Sequence, residues 1–117
     1  MATAETIQGY FKSLKQGKDW QSFLADDMTF TSYTSPVKKI TGKDAYLEPT
    51  KRFYSSIVSM KVTDIMVDDE RALALTHYEL KHPGGNTFSS DVAEIFTVKN
   101  GKIKTFEIYF DSAPFPK

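Results

Sequence analysis

From Thr3 to Gln16 the apolar positions Ile7, Tyr10, Phe11 and Leu14 recur at i, i+3, i+4 and i+7, which draws one stripe along an amphipathic helix. Thr3 is placed to cap this helix and Gly17 to end it. Asp19 offers a second N-cap, for a short helix presenting Trp20, Phe23 and Leu24 that Asp26-Asp27 breaks. Met28 to Tyr33 then alternates like a strand, and the face holding Met28, Phe30 and Ser32 is the inner one. Thr41-Gly-Lys-Asp44 has the form of a capping box and opens a helical segment through Leu47, Phe53, Tyr54, Ile57 and Val58. Pro49 lies inside that segment, where a proline costs about 3 kcal/mol, so two helical pieces are expected, the second starting at Pro49.

The second half of the chain alternates. Met60 to Val67 reads as a strand whose apolar parity slips, and a bulge near Thr63-Asp64 accounts for the slip. Arg71 to His82 is the next strand, closed by the loop Pro83-Gly84-Gly85-Asn86. Thr87 to Asp111 reads as a hairpin, because Asn100-Gly101 supplies the two positive φ angles of a type I′ turn. Pairing Lys99 with Lys102 then sets Val98 against Ile103, Phe96 against Thr105, Glu94 against Glu107, Val92 against Tyr109 and Ser90 against Asp111, all on one face. Ala93, Ile95, Phe106, Ile108 and Phe110 fall on the other. If His82 pairs with Thr87, then Leu73, Leu75, His77 and Glu79 share the face of Glu94 and Glu107.

The element order is two helices, a strand, a helix and four antiparallel strands. It predicts an α+β fold with the helices on one face of a sheet. A sheet curved around the first helix makes a cone with an open end, a shape that encloses a small-molecule pocket. The tail from Ser112 to Lys117, with prolines around Phe115, is expected to leave the sheet and fold over the mouth of that pocket. Ile95, Phe106, Ile108 and Phe110, with Ala74, Tyr78 and Leu80 from the neighbouring strand, form an apolar outer patch that predicts a two-fold homodimer.

Composition narrows the function classes. A chain of 117 residues, 40% of them hydrophobic, suits one domain with one core spanning residues 1–117. Fifteen basic and fifteen acidic side chains balance, which argues against nucleic acid or an anionic membrane as partner. The absence of cysteine removes disulfides, thiolate catalysis and thiolate metal sites. No signal-peptide pattern opens the sequence and no apolar run is long enough to span a bilayer, so a cytoplasmic location is expected. No phosphate-binding loop, dinucleotide fingerprint or nucleophile elbow is present, and no cofactor is implied.

Several stretches resemble the nuclear transport factor 2-like superfamily, and within it the SnoaL-like cyclases and ketosteroid isomerases. They are Gly17-Lys-Asp-Trp20, Phe23-Leu-Ala-Asp-Asp27, Thr41-Gly42, Lys99-Asn-Gly-Lys-Ile103 and Tyr109-Phe-Asp111. The resemblance implies a cone-shaped NTF2-like (cystatin-like) fold, a curved antiparallel sheet around an N-terminal helix. It leaves function open, because isomerases, cyclases, hydrolases and non-catalytic binding or assembly modules share this fold. In the isomerase branch a tyrosine seven residues before the glycine ending the first helix donates to the forming oxyanion, and Tyr10 matches it. A protonated acid before the last turn is the second donor there, and Glu94 comes close to its place. The base of that branch is an aspartate on the first strand, where this chain has Ser32.

Two carboxylates opposite each other repel when ionised, so burial would keep one protonated near neutral pH and leave Glu94 and Glu107 as an acid–base pair. The alternative places both at a hydrated rim. His77 is either a proton carrier beside them or a structural hydrogen-bonder, and Tyr10 either a donor or packing. Trp20, Phe30, Phe53 and Phe96 supply the apolar wall, with Ser32 and Val92 beside them and Tyr109 and Asp111 at the mouth. A metal site from His77, Glu79 and Glu94 lacks a recognisable ligand spacing. Two readings stay open: a cofactor-independent isomerase, cyclase or hydrolase/dehydratase acting on an apolar carbonyl-bearing ligand, and a non-catalytic ligand-binding or protein-association module.

Overall fold

A computed structural model describes residues 3–34, 39–82 and 84–111, without the side chains of residues 49 and 52. Helix α1 (Thr3–Gln16) buries the stripe of Ile7, Tyr10, Phe11 and Leu14. Gly17 ends it at φ 73°, and the Lys18 N–H turns back to Ser13 O at 3.2 Å. Thr3 is already helical, and its hydroxyl donates to Asp69 O at 2.6 Å instead of capping. A 3-10 turn (Trp20–Phe23) follows, and Asp19 adopts a left-handed conformation there without a side-chain cap.

The chain then enters β1 (Leu24–Ser32), so Leu24 starts a strand and does not end a helix. A short β2 (Lys39–Thr41) runs antiparallel to β1 and takes Thr41 out of the expected capping box. Gly42 O accepts the Tyr46 N–H at 3.0 Å instead. Helix α2 (Lys43–Ser55) is one continuous piece through position 49. The proline removes one N–H, and the Thr50 hydroxyl bonds back to Tyr46 O at 2.6 Å one residue further on.

Strands β3 (Ile57–Asp68), β4 (Arg71–Lys81), β5 (Thr87–Lys99) and β6 (Lys102–Phe110) complete a sheet of order β2-β1-β6-β5-β4-β3. Ile57 and Val58 belong to β3, not to the helix, and the parity slip in β3 is a bulge between Val62 and Asp64. The sheet is not wholly antiparallel, since β1 and β6 pair in parallel. The chain leaves β1 through β2 and α2 for β3 at the opposite edge, and the strands that follow come back across the sheet to set the last one beside the first. The tail from Ser112 and its expected place over the pocket lie outside the described residues.

Two registers differ from the expected ones by one residue. In the last hairpin Asn100 and Gly101 have φ 54° and 74°, and Lys99 faces Lys102 and Val98 faces Ile103, as the turn type requires. A bulge then leaves Lys104 over, and Thr97 meets Thr105. The cause is apolar burial. Ile103 and Phe106 are three residues apart and both buried, which strict alternation forbids on one face and one extra residue permits. Consequently Glu94 faces Ile108, and Glu107 turns outward beside Ile95.

Across the other turn Lys81, not His82, pairs with Thr87, and five residues form the loop. The His82 N–H bonds to Asn86 O at 2.7 Å and Gly85 has φ 98°. This puts Ala72, Ala74, Thr76, Tyr78 and Leu80 on the buried face and Leu73, Leu75, His77 and Glu79 on the outer one. The predicted outer patch is therefore divided. Ile95 stays outside, while Ala74, Tyr78, Leu80, Phe106, Ile108 and Phe110 point towards the helices or the cavity.

Candidate functional site

The buried faces of β5 and β6, with β1 beside β6 and α2 across from them, leave a partly open cavity of about 510 Å³. Half of its described lining is aromatic: Phe30 from β1, Tyr46, Phe53 and Tyr54 from α2, Tyr78 from β4, and Phe106 and Phe110 from β6. Tyr46 and Tyr54 stand eight residues apart on α2, a spacing that returns both to one helix face. Among the described lining residues Glu94 alone carries a carboxyl group, and no lysine, arginine or histidine joins it.

Glu94 reaches the cavity because strand alternation buries every second residue of β5 from Ser90 to Val98. Its residue exposure is 3%, and the Tyr78 hydroxyl donates to Oε2 at 2.9 Å. Burial pushes its carboxyl from the usual 4.5 up to about 7, against the opposing pull of the Thr76 and Tyr78 hydroxyls. The Thr76 Oγ1 and Glu94 Oε1 are both buried and without a hydrogen-bond partner among the described residues.

Tyr46 and Tyr54 of the wall join Tyr10 behind it in a chain of three phenol hydroxyls. The Tyr10 hydroxyl lies 3.2 Å from that of Tyr54, which also bonds that of Tyr46. Burial raises the proton affinity of all three. Tyr10 and Tyr46 are pushed well above the ordinary phenol value, and Tyr54 to about 12 because the hydroxyls of Tyr10 and Tyr46 partly offset its burial. All three phenols are therefore neutral donors over the physiological range, with Tyr54 in the middle of the chain.

The structure brings Phe30, Ser32, Phe53, Val92 and Glu94 together around this cavity. Tyr10 does not line it and touches it through Tyr54. Trp20 and Phe96 are core: Trp20 packs against Tyr54 with ring centroids 4.1 Å apart, and Phe96 stacks on Phe106 at 4.6 Å. Glu107 is on the other side of the sheet, where it accepts from the Tyr33 hydroxyl and meets Arg71 at 3.5 Å. It cannot form an acid–base pair with Glu94.

His77 is also on the outer face. Its Nδ1 lies 2.7 Å from Asp91 and its Nε2 2.8 Å from Glu79, and these hydrogen bonds, that to Asp91 first, raise its pKa. Tyr109 and Asp111 border a shallower groove on that same side. His77, Glu79 and Glu94 are thus divided between two faces, and no group of potential metal ligands occurs among the described residues. Tyr46, Tyr54 and Tyr78 were missed by sequence reasoning. The eight-residue repeat on α2 was the available signal for the first two, and Tyr78 was placed on the wrong face by one step of register.

The model of the SnoaL-like domain matches residues 7–106, from within α1 to within β6. The chain belongs to the SnoaL-like domain family. The fold of this SnoaL-like chain is also that of an NTF2-like protein from Burkholderia thailandensis, with 15% identity, a TM-score of 0.83 and 97% of this chain and 94% of that one covered. A protein from Mesorhizobium loti, provisionally named a SnoaL-like polyketide cyclase, shares 22% identity at a TM-score of 0.78, covering 93% and 99%. One from Rhodopseudomonas palustris, provisionally named an isomerase, shares 17% at 0.78, covering 91% and 89%. No curated protein sequence matches the SnoaL-like chain significantly. At these identities the likeness speaks for the fold alone. No described helix is long and apolar enough to cross a membrane.

Proposed function

We propose that the cavity binds a small, largely apolar, carbonyl-bearing molecule and exchanges a proton with it through Glu94, without a cofactor. The observation that carries this reading is a carboxyl group buried in an aromatic cavity, bonded to Tyr78 and poised at about 7. A group whose pKa lies near the working pH is populated both as acid and as base, which general catalysis needs. Tyr54 would polarise the carbonyl: in the arrangement where Tyr10 and Tyr46 donate to its oxygen, its own proton is left for a ligand. Glu94 and Tyr54 take the roles first assigned to Glu94 with Glu107 and to Tyr10.

The test is deuterium uptake next to the carbonyl of an apolar bicyclic ketone such as 2-tetralone, followed by proton NMR in heavy water. Uptake above buffer that disappears in Glu94→Gln supports proton exchange. Equal uptake by both proteins ends the assignment. A non-catalytic binding domain is the second reading, favoured by Ser32, which puts a hydroxyl in the cavity where the isomerase branch has an aspartate. Binding of the ketone without exchange would select it. The reading also includes a cytoplasmic location, and a homodimer through the outer sheet face, whose centre is Leu73, Leu75, Ala93, Ile95 and Tyr109.

A further inference from the structure

The charge balance of the cavity limits its ligand. Glu94 is the one group in the described lining that can carry charge near neutral pH, and no ion pair among the described residues includes it. An anionic ligand would meet that carboxylate in a medium of low dielectric with no cation in the described lining to offset it. Carboxylates and phosphates are therefore poor occupants.

Among the described residues Glu94 has no counter-ion. Tyr78 occupies Oε2, while Oε1 is buried with no partner among the described residues, although an ionised carboxylate oxygen accepts more than one donor. The surroundings suit a cation in a second way. The rings of Phe53, Tyr54 and Tyr78 line the same cavity, and Phe53 sits edge-on to both tyrosines at 5.5 Å. Aromatic faces around a desolvated ammonium each add attraction to that of the carboxylate.

The geometry points to a ligand that carries a basic nitrogen, an apolar ring system whose ammonium group donates to Glu94 Oε1 while Tyr54 faces its oxygen-bearing end. This rests on the cavity being a ligand site, and it names the class of ligand. It also fixes a sign. Among the described residues the titratable groups facing Glu94 are Tyr78 from β4, Tyr10 from α1 and Tyr46 and Tyr54 from α2, all phenols that burial holds neutral. Of these described groups Glu94 alone changes charge between pH 5 and 8. Binding an ammonium requires its carboxylate, so affinity rises with pH up to its pKa and levels off above it. A neutral ketone that takes the Glu94 proton shows the opposite slope.

The experiment is a pair of fluorescence titrations with 1-naphthylmethylamine and its isostere 1-naphthalenemethanol, run from pH 5.5 to 8.5. The inference expects the amine to bind at least about tenfold tighter than the alcohol at pH 8, where an added charge-assisted bond is worth this much. The amine's affinity should rise towards neutral pH. Glu94→Gln should bring the two ligands level, and Glu94→Asp should restore part of the preference, which separates lost charge from lost folding. An alcohol that binds as well as the amine, or an amine affinity that falls as pH rises, overturns the inference and leaves the cavity reading intact. If neither ligand binds the unmodified protein, both fail.

Discussion

The Tyr78 hydroxyl donates to Glu94 Oε2 at 2.9 Å, joining β4 to β5 diagonally across the buried face of the sheet. Tyr78 pairs with Ser90 and Glu94 with Ala74, so the tyrosine leans along the strands to reach the carboxyl group. Its ring packs edge-on against Phe53 of α2, with centroids 5.5 Å apart, which holds it there. The phenol is raised well above its ordinary value, first by burial and then by the nearby carboxylate, and stays a donor.

Removing that donor should raise the Glu94 pKa further. A hydrogen bond to a charged group contributes about 1.5–3 kcal/mol, so Tyr78→Phe should move the titration upward by about one to two units. Carboxyl carbon shifts of labelled glutamate, followed by NMR from pH 4 to 10, measure it. A downward move would show that Tyr78 does not stabilise the carboxylate.

Glu94 should make folding less favourable as pH rises. Its folded pKa of about 7 lies above the usual 4.5, so the folded state holds the extra proton between these values. Its contribution is undiminished below about pH 4.5 and is lost as pH rises through 7, a difference of about 3 kcal/mol. Glu94→Gln should match the unmodified protein at pH 4 and exceed it by about that amount at pH 8. Urea unfolding at the two pH values checks this.

His77 should titrate above its ordinary value without touching the cavity chemistry. Its raised pKa comes from Asp91 first and Glu79 second. The stability it contributes is complete below about 6.5, its usual value, and is lost as pH rises through the higher folded value. Asp91→Asn should lower the ring-proton titration measured by NMR. His77→Asn should leave ketone exchange unchanged, since the ring stands on the other side of the sheet.

The outer face should mediate self-association. Leu75 is 38% exposed and Tyr109 49%, and both stand on a face whose middle is apolar. Sedimentation at micromolar concentration should give a dimer, and Leu75→Glu with Tyr109→Glu should give a monomer of unchanged circular dichroism. A monomeric unmodified protein would remove the homodimer from the proposal.

The helical stripe of α1, the type I′ turn at Asn100-Gly101, the β3 bulge and the inward face of β1 were all legible in the sequence. Each is a local matter, set by residue spacing or by a turn that needs particular φ angles. The burial of Glu94 was also legible, because alternation along β5 is unbroken from Ser90 to Val98. Its partner was not. Lys104 is an ordinary strand residue in sequence, and nothing local marks it as the one left unpaired.

Residue order by itself determined α1 and the run of four strands that closes the chain, though not β2, the continuity of α2 or the first residues of β1 and β3, and it determined that a carboxyl group on β5 would face inward. Tertiary structure decided what that carboxyl group meets. Each slip of one residue, at Lys104 and at the loop before Thr87, exchanges the two faces of a strand. Which slip occurs depends on packing: burying Ile103 together with Phe106, and Tyr78 against Phe53 of α2, involves elements far apart in the chain. For that reason Glu107 and His77 moved outside, and Tyr78, Tyr54 and Tyr46 took their places around Glu94.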